Sequence, residues 1–160
     1  MIAGKRQGNQ VRSSRRKFQE LQAVRERNAR MVNEIVAQYV AGAPATYPDG
    51  SPFPATEAIG ALGQTALSFS EVSHPDRDAI VNYLQWMMAL FNEVATTELT
   101  PDTIQIFHDT RVWLGRHGYT EAQGVVRQAG LDLMKYWEQN GAQDRMIRAA
   151  MSLPDDGKLP

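Results

Sequence analysis

The sequence predicts an all-α fold: a compact helical bundle of about five to six helices, with a long basic N-terminal helix and a Pro-rich extended connection. Apolar residues recur at helical spacing along most of the chain. Residues that favour helix starts and stops separate these stretches. No stretch shows the sustained period-two alternation, bounded by hairpin turns, that a sheet requires. With 160 residues, the chain is long enough to bury one core of its own.

The strongest helical pattern runs over residues 73–95 and predicts the central helix of the bundle. Its main apolar face consists of Ile80, Tyr83, Leu84, Met87, Met88, Phe91 and Val94. Trp86 and Leu90 lie off this face. We therefore expect this helix to have neighbours on two sides.

Cap residues and apolar spacing place the other helices. They are predicted from Ser13 or Ser14 to about Ala41, from Thr56 to Phe69, from Thr100 to Gly115 or Gly118, from Thr120 to Gly141, and near 143–153. Capping sequences are predicted at 73–76, 100–102 and 120–123. Two glycines of the second helix, Gly60 and Gly63, are expected to allow another helix to approach closely.

Charge is divided unevenly along the chain. The net charge is −1, but residues 1–30 hold nine basic and two acidic side chains, which leaves +7 there and −8 on the rest. The sequence therefore predicts a basic tail and projecting half-helix over 1–30, a helical body over 31–153 and a polar tail over 154–160. The candidate interaction residues of the basic part are Arg12, Arg15, Arg16, Lys17, Arg25, Arg27 and Arg30.

The predicted first helix is polar in its first half and apolar in its second. We expect the second half to dock on the body and the first half to project, preceded over residues 1–11 by a tail that is either flexible or ordered by a partner. An a/d-like row extends over barely two heptads and comprises Leu21, Val24, Asn28, Met31 and Ile35. A short coiled coil and an ordinary amphipathic helix with a solvated charged face both fit this row.

A Pro-rich strap over residues 42–55 follows the first helix. Its four prolines disfavour a helix, and its Tyr-Pro-Asp-Gly sequence fits a turn. Tyr47 and Phe53 are the candidate interaction residues, because their rings would pin the strap to a surface. That surface is either the body of the same chain or a neighbouring subunit.

Sequence motifs for catalysis and cofactor binding are absent. There is no cysteine, no phosphate-binding glycine loop, no nucleophile elbow and no zinc-type histidine spacing. We therefore expect no catalytic residue, no metal and no cofactor, with His74, His108 and His117 serving as cap or surface residues. A small helical enzyme or a ligand-binding domain, with a polar pocket near His108, is a third hypothesis.

The sequence also bears on location. No apolar run approaches the roughly 20 residues of a membrane span, and the basic N-terminus lacks the apolar segment of a secretory signal. A place in the cytoplasm or within an assembled particle is expected. A mitochondrial-type presequence would also be rich in arginine and poor in acids, so that alternative stays open.

Two function classes fit these features. The first is a structural or assembly protein that docks through the basic helical arm and the strap onto itself or a larger complex. Helical virion components of tailed phages, such as connector, internal or packaging proteins, are similar to this chain in general architecture. The second is a nucleic-acid-binding module without sequence preference, in which the basic arm contacts phosphates. The acidic body favours the first class.

Overall fold

The computed structural model describes residues 2–95 and 100–140, with side chains from Ser13 onward, and is all-helical over these ranges. It contains α1 (Ile2–Gly42), α2 (Ala55–Ser70), α3 (Arg77–Glu93), α4 (Pro101–Arg116) and α5 (Thr120–Gln139). Within the described ranges there is no strand, only an isolated bridge between Thr46 and Pro52. The all-α prediction is confirmed. The predicted helix over 143–153 and the tail over 154–160 lie outside the described residues.

The first helix begins earlier than the sequence predicted. It starts at Ile2 rather than at Ser13 or Ser14. No proline interrupts this stretch, and its lysine, arginine and glutamines are good helix formers that offset two glycines. The helix has 41 residues and is therefore about 60 Å long.

The C-terminal half of α1 packs on α2 and α3. A Cβ built on Gly63 would overlap a methyl group of Val36, so this glycine permits close approach of α1 to α2. Gly60 has open space around it, so the same expectation is wrong for that residue. The Asn92 side-chain amide donates to the Tyr39 carbonyl oxygen over 2.9 Å and ties α3 to α1.

The third helix is the centre of the bundle, because it contacts each of the other four helices. The predicted apolar face is buried at Ile80, Leu84, Met87, Met88, Phe91 and Val94. Tyr83 on that face is only half-buried. Leu90 is buried on a second side, and the Trp86 ring lies 5.7 Å from the Phe107 ring. The expectation of neighbours on two sides is confirmed.

One of the predicted caps forms as expected. Thr100 Oγ1 accepts a hydrogen bond from the Thr103 N–H, with Pro101 in the first turn. The prediction of a capping box at 73–76 is wrong. The third helix begins at Arg77, and the Asp76 N–H donates a hydrogen bond to His74 Nδ1 over 3.0 Å. The capping box at 120–123 does not form either, because α5 begins at Thr120 itself.

Candidate interaction surfaces

The first half of α1 presents its side chains to solvent. We define residues 13–30 as the arm; every side chain from 13 to 27 in it is exposed. The basic candidates with described side chains are all exposed: Arg15, Arg16, Lys17, Arg25, Arg27 and Arg30. The side chain of Arg12 lies outside the described residues.

Apolar side chains on and next to the arm are exposed to an unusual degree. The exposed fractions are 65% for Phe18, 56% for Leu21, 41% for Val24 and 53% for Met31. Phe18 and Leu21 are three positions apart, so they project from one side of the helix and form an apolar ridge. Large apolar groups held in this way on a regular helix are typical of a contact surface.

The basic side chains of the arm are arranged around this ridge. At 100° per residue, Arg15 and Lys17 lie on opposite flanks of the Phe18 position. Four arginines share a sector of about 120° that begins at the Arg15 flank and reaches the side opposite the ridge: Arg15, Arg16, Arg27 and Arg30. The arm therefore has an apolar ridge with cationic flanks and a cationic opposite side.

The arm leaves the body near the C-terminal end of α2. Arg25 Nε lies 3.7 Å from Glu71 Oε1, and both side chains are about half exposed. Such an exposed ion pair contributes less than about 1 kcal/mol. It marks the point where α1 passes the residue that follows the C-terminal end of α2. The side chains from Ser13 to Val24 therefore extend beyond this point.

The strap is packed on the body of its own chain. Tyr47 and Phe53, its two candidate interaction residues, are each only 5% exposed. The Phe53 ring lies 4.9 Å from the Tyr47 ring, 5.6 Å from Phe91 and 4.8 Å from Tyr136. Any contact of the strap with a partner therefore uses exposed residues, such as those of the turn at 48–50, rather than these two rings.

Side-chain hydrogen bonds hold that turn in place. Asp49 accepts bonds from the Ser51 hydroxyl and N–H, and Gln139 Nε2 donates to Asp49 over 3.0 Å. These bonds, above all that from the Ser51 hydroxyl, lower the pKa of the Asp49 carboxyl. Gly50 has φ +88°, a left-handed conformation that glycine adopts without strain.

An open groove runs between α2 and α5, and sequence reasoning missed it. Its two parts have volumes of about 620 and 690 Å³ and share Ala61, Glu121 and Val125. Small and apolar residues form much of its lining, among them Ala58, Ala61, Val125 and Ala129, and Pro54 of the strap lies at one end. We call this feature the α2–α5 groove.

Acidic side chains border this groove. Glu57 lies on α2, and Glu121 and Asp132 lie on α5. Among the described residues that line the groove there is no lysine or arginine. Burial raises the pKa of the Asp132 carboxyl, although Gln128 donates to it over 3.1 Å. A cationic partner would relieve that cost.

The three histidines contact neighbouring side chains on and around α4. His117 ends α4 and stacks on Trp113 at 3.9 Å, and the His74 ring contacts Trp113 edge-on at 5.3 Å. His108 is buried, so the expectation of a cap or surface position is wrong for it. Its Nδ1 lies 3.3 Å from Arg111 Nη2. The neighbouring Asp109 carboxylate accepts a hydrogen bond from Gln105 Nε2 over 2.8 Å.

The surfaces of the described chain thus comprise a basic helical arm, a strap turned inward and an acidic groove. Over residues 13–95 and 100–140, no group of three or more potential ligand side chains is arranged to hold a metal ion. None of the described helices combines the length and apolarity needed to cross a bilayer. Comparison with protein-family models, curated proteins and solved structures finds no match to this chain.

Proposed function

We propose that this chain is a non-enzymatic structural or assembly protein. It docks through its basic helical arm, assisted by the exposed turn of its strap, onto copies of itself or onto a larger complex. A phage virion or packaging complex is the kind of assembly in which this chain would be a component. The exposed row of Phe18, Leu21, Val24 and Met31 on the first helix is the observation that carries this proposal.

Association through the arm would remove its exposed apolar side chains from water. Burying a large apolar side chain on association gains roughly 1.5–3 kcal/mol. The apolar side chains of the arm stay exposed when the chain folds, so their burial can stabilise a complex with a partner. Because the arm is a continuation of a packed helix, it is already ordered, so little conformational entropy is lost when a partner binds.

Charge supports a protein partner, and a second copy in particular. The described body, residues 31–95 and 100–140, carries five basic and twelve acidic side chains, whereas the arm carries six basic and two. Opposite charges on two parts of one chain favour association of copies and raise the rate of encounter. They also oppose broad contact of the body with nucleic acid.

Light scattering on a sizing column, at low and high salt, tests the proposal. We expect a discrete assembly that contains no nucleic acid, read from the ratio of absorbance at 260 and 280 nm. A double variant in which serine replaces both Phe18 and Leu21 should be monomeric, and its helical content should equal that of the wild type. A wild-type chain that is monomeric at high concentration, with no partner found, contradicts the proposal.

A second candidate function, nucleic-acid binding without sequence preference, is favoured by the cationic side of the arm. Arg15, Arg16, Arg27 and Arg30 are exposed there and available to phosphates. Changing Arg15, Arg16 and Lys17 to Ala would then weaken binding to all sequences alike and reduce its salt dependence. Unchanged affinity for a mixed-sequence duplex would contradict this second function.

A further inference from the structure

We propose that the α2–α5 groove of one chain receives the arm of a second copy. The apolar ridge of Phe18 and Leu21 lies on the groove floor, and Arg15 and Lys17 face its acidic borders. This inference rests on the proposed function and specifies its partner and its docking surface. It accounts for two features that would otherwise be unrelated, an exposed apolar ridge and an open groove.

Length and shape support the match. The groove extends along α2 from Glu57 to Ser68, which is 12 residues or about 17 Å of helix. The exposed arm from Ser13 to Val24 is also 12 residues long. The small side chains of the floor, such as Ala61, let a third helix come close to α2 and α5, so that a phenylalanine and a leucine fill the space between them.

Charge supports the same match. Glu57 borders the groove on one side, and Glu121 and Asp132 border it on the other. On the arm, the two cationic flanks lie on either side of the apolar ridge. A helix seated with its ridge downward therefore brings a positive side chain to each negative border. Complementary borders of this kind fix the orientation of docking and exclude partners of the wrong charge.

The arm of the same chain does not reach this groove. The packed half of α1 lies against α2 and α3, and α1 continues past Glu71 as one uninterrupted helix. The groove lies where α2 meets α5. A second copy must therefore supply the arm. Since the two contacting surfaces differ, each chain offers one arm and one groove, and the contact repeats into a ring or an open chain.

Filling the groove is the first test. Gly124 lines the groove, and a Cβ added there meets no atom within 4 Å, so Gly124→Phe occupies the groove without a clash at its base. Gly60→Phe is the matched control: Gly60 has equally open space and does not line the groove. We expect Gly124→Phe to weaken self-association by about tenfold or more, read from scattering mass against concentration, and Gly60→Phe to leave it unchanged.

A charge exchange is the second test and does not depend on a bulky residue. One variant carries Arg15→Glu and Lys17→Glu, which makes both flanks of its ridge acidic and leaves its groove acidic. The other carries Glu57→Lys and Glu121→Lys, which gives it a basic arm and a basic groove. Each should be monomeric alone at low salt. An equimolar mixture should assemble again, because every arm then meets a groove of opposite charge.

The outcomes separate this inference from the function on which it rests. Wild-type assembly that persists in Gly124→Phe, together with a mixture that stays monomeric, overturns the groove as the docking surface and leaves the assembly function standing. A wild-type chain that is monomeric throughout contradicts both. Assembly that disappears on nuclease treatment also overturns the inference, because nucleic acid rather than the groove would then join the chains.

Discussion

The arm and the strap are the two segments that the sequence predicts to be interaction sites, and they differ in how far their aromatic side chains are buried. The arm carries one aromatic residue, Phe18, in a polar stretch, and the strap carries two, Tyr47 and Phe53, among its prolines. Phe53 of the strap is buried among the rings of Tyr47, Phe91 and Tyr136, whereas Phe18 of the arm is mostly exposed. An aromatic residue in such a stretch can therefore be a core residue or an exposed one, and its packing partners decide which.

The physical difference lies in the backbone. Proline fixes φ and prevents a helix, so the strap runs extended across the body and reverses at Gly50. This brings both of its rings onto one surface. The arm has no proline and continues the helix of the packed half of α1 straight past Glu71. A straight helix cannot fold back, so its apolar ridge stays without cover from its own chain.

Truncating the two phenylalanines gives the largest expected difference. Phe53→Ala should cost about 3–5 kcal/mol in the free energy of unfolding, because it removes a fully packed ring from the core. Phe18→Ala should change the stability of the monomer by no more than about 0.5 kcal/mol. Urea unfolding at low protein concentration measures both. Equal losses would mean that the arm is packed on its own body.

A pair of glycines on α2 sharpens the boundary between the docked and exposed parts of α1. Gly63→Ala should cost about 1–3 kcal/mol, because the new methyl group meets Val36, whose branched side chain is stiff. Gly60→Ala should instead stabilise the chain by up to about 1 kcal/mol through helix propensity. Thermal unfolding of both variants checks the sign. A stabilising Gly63→Ala would show that α1 is not held against α2 at this residue.

Two carboxyl groups give the smallest effects, of opposite sign. The pKa of Asp49 in the strap turn is lowered by folding, so its contribution to stability is present above the unfolded pKa and is lost as the pH falls through the folded pKa. The pKa of Asp132 in the groove is raised, so stability falls as the pH rises from the unfolded to the folded pKa. Asp49→Asn should therefore reduce the stability gained between about pH 3 and about pH 7, and Asp132→Asn should increase it. Urea unfolding across this range measures the two slopes. Slopes that change in the same direction would contradict these assignments.

The sequence predicted the bundle and its central helix because both follow from periodic apolar positions. It missed the start of α3, because His74 binds the backbone where a serine cap was expected. It also missed the burial of His108, which depends on packing around α4 rather than on any local pattern. The sequence left the strap with two surfaces to choose from, and only the contact of Phe53 with Phe91 and Tyr136 places its rings.

The α2–α5 groove could not be predicted from the sequence, for a different reason. Its two walls are the segments around Ala61 and Val125, which lie far apart in the chain and consist largely of small residues with no periodic signal of their own. The basic arm, in contrast, was visible at once as a local excess of charge. A local feature can be read from composition, whereas a surface made by two packed helices requires their relative position.

Disulfide cross-linking tests the central claim most directly, because the chain has no cysteine to interfere. Chains carrying Leu21→Cys are mixed with chains carrying Gly124→Cys under mild oxidation and run on a non-reducing gel. Docking of the arm in the groove predicts a cross-linked dimer from this mixture, and none when Gly60→Cys replaces Gly124→Cys. A dimer formed by Leu21→Cys chains alone, with no product joining position 21 to position 124, would place the arms against each other and contradict the account.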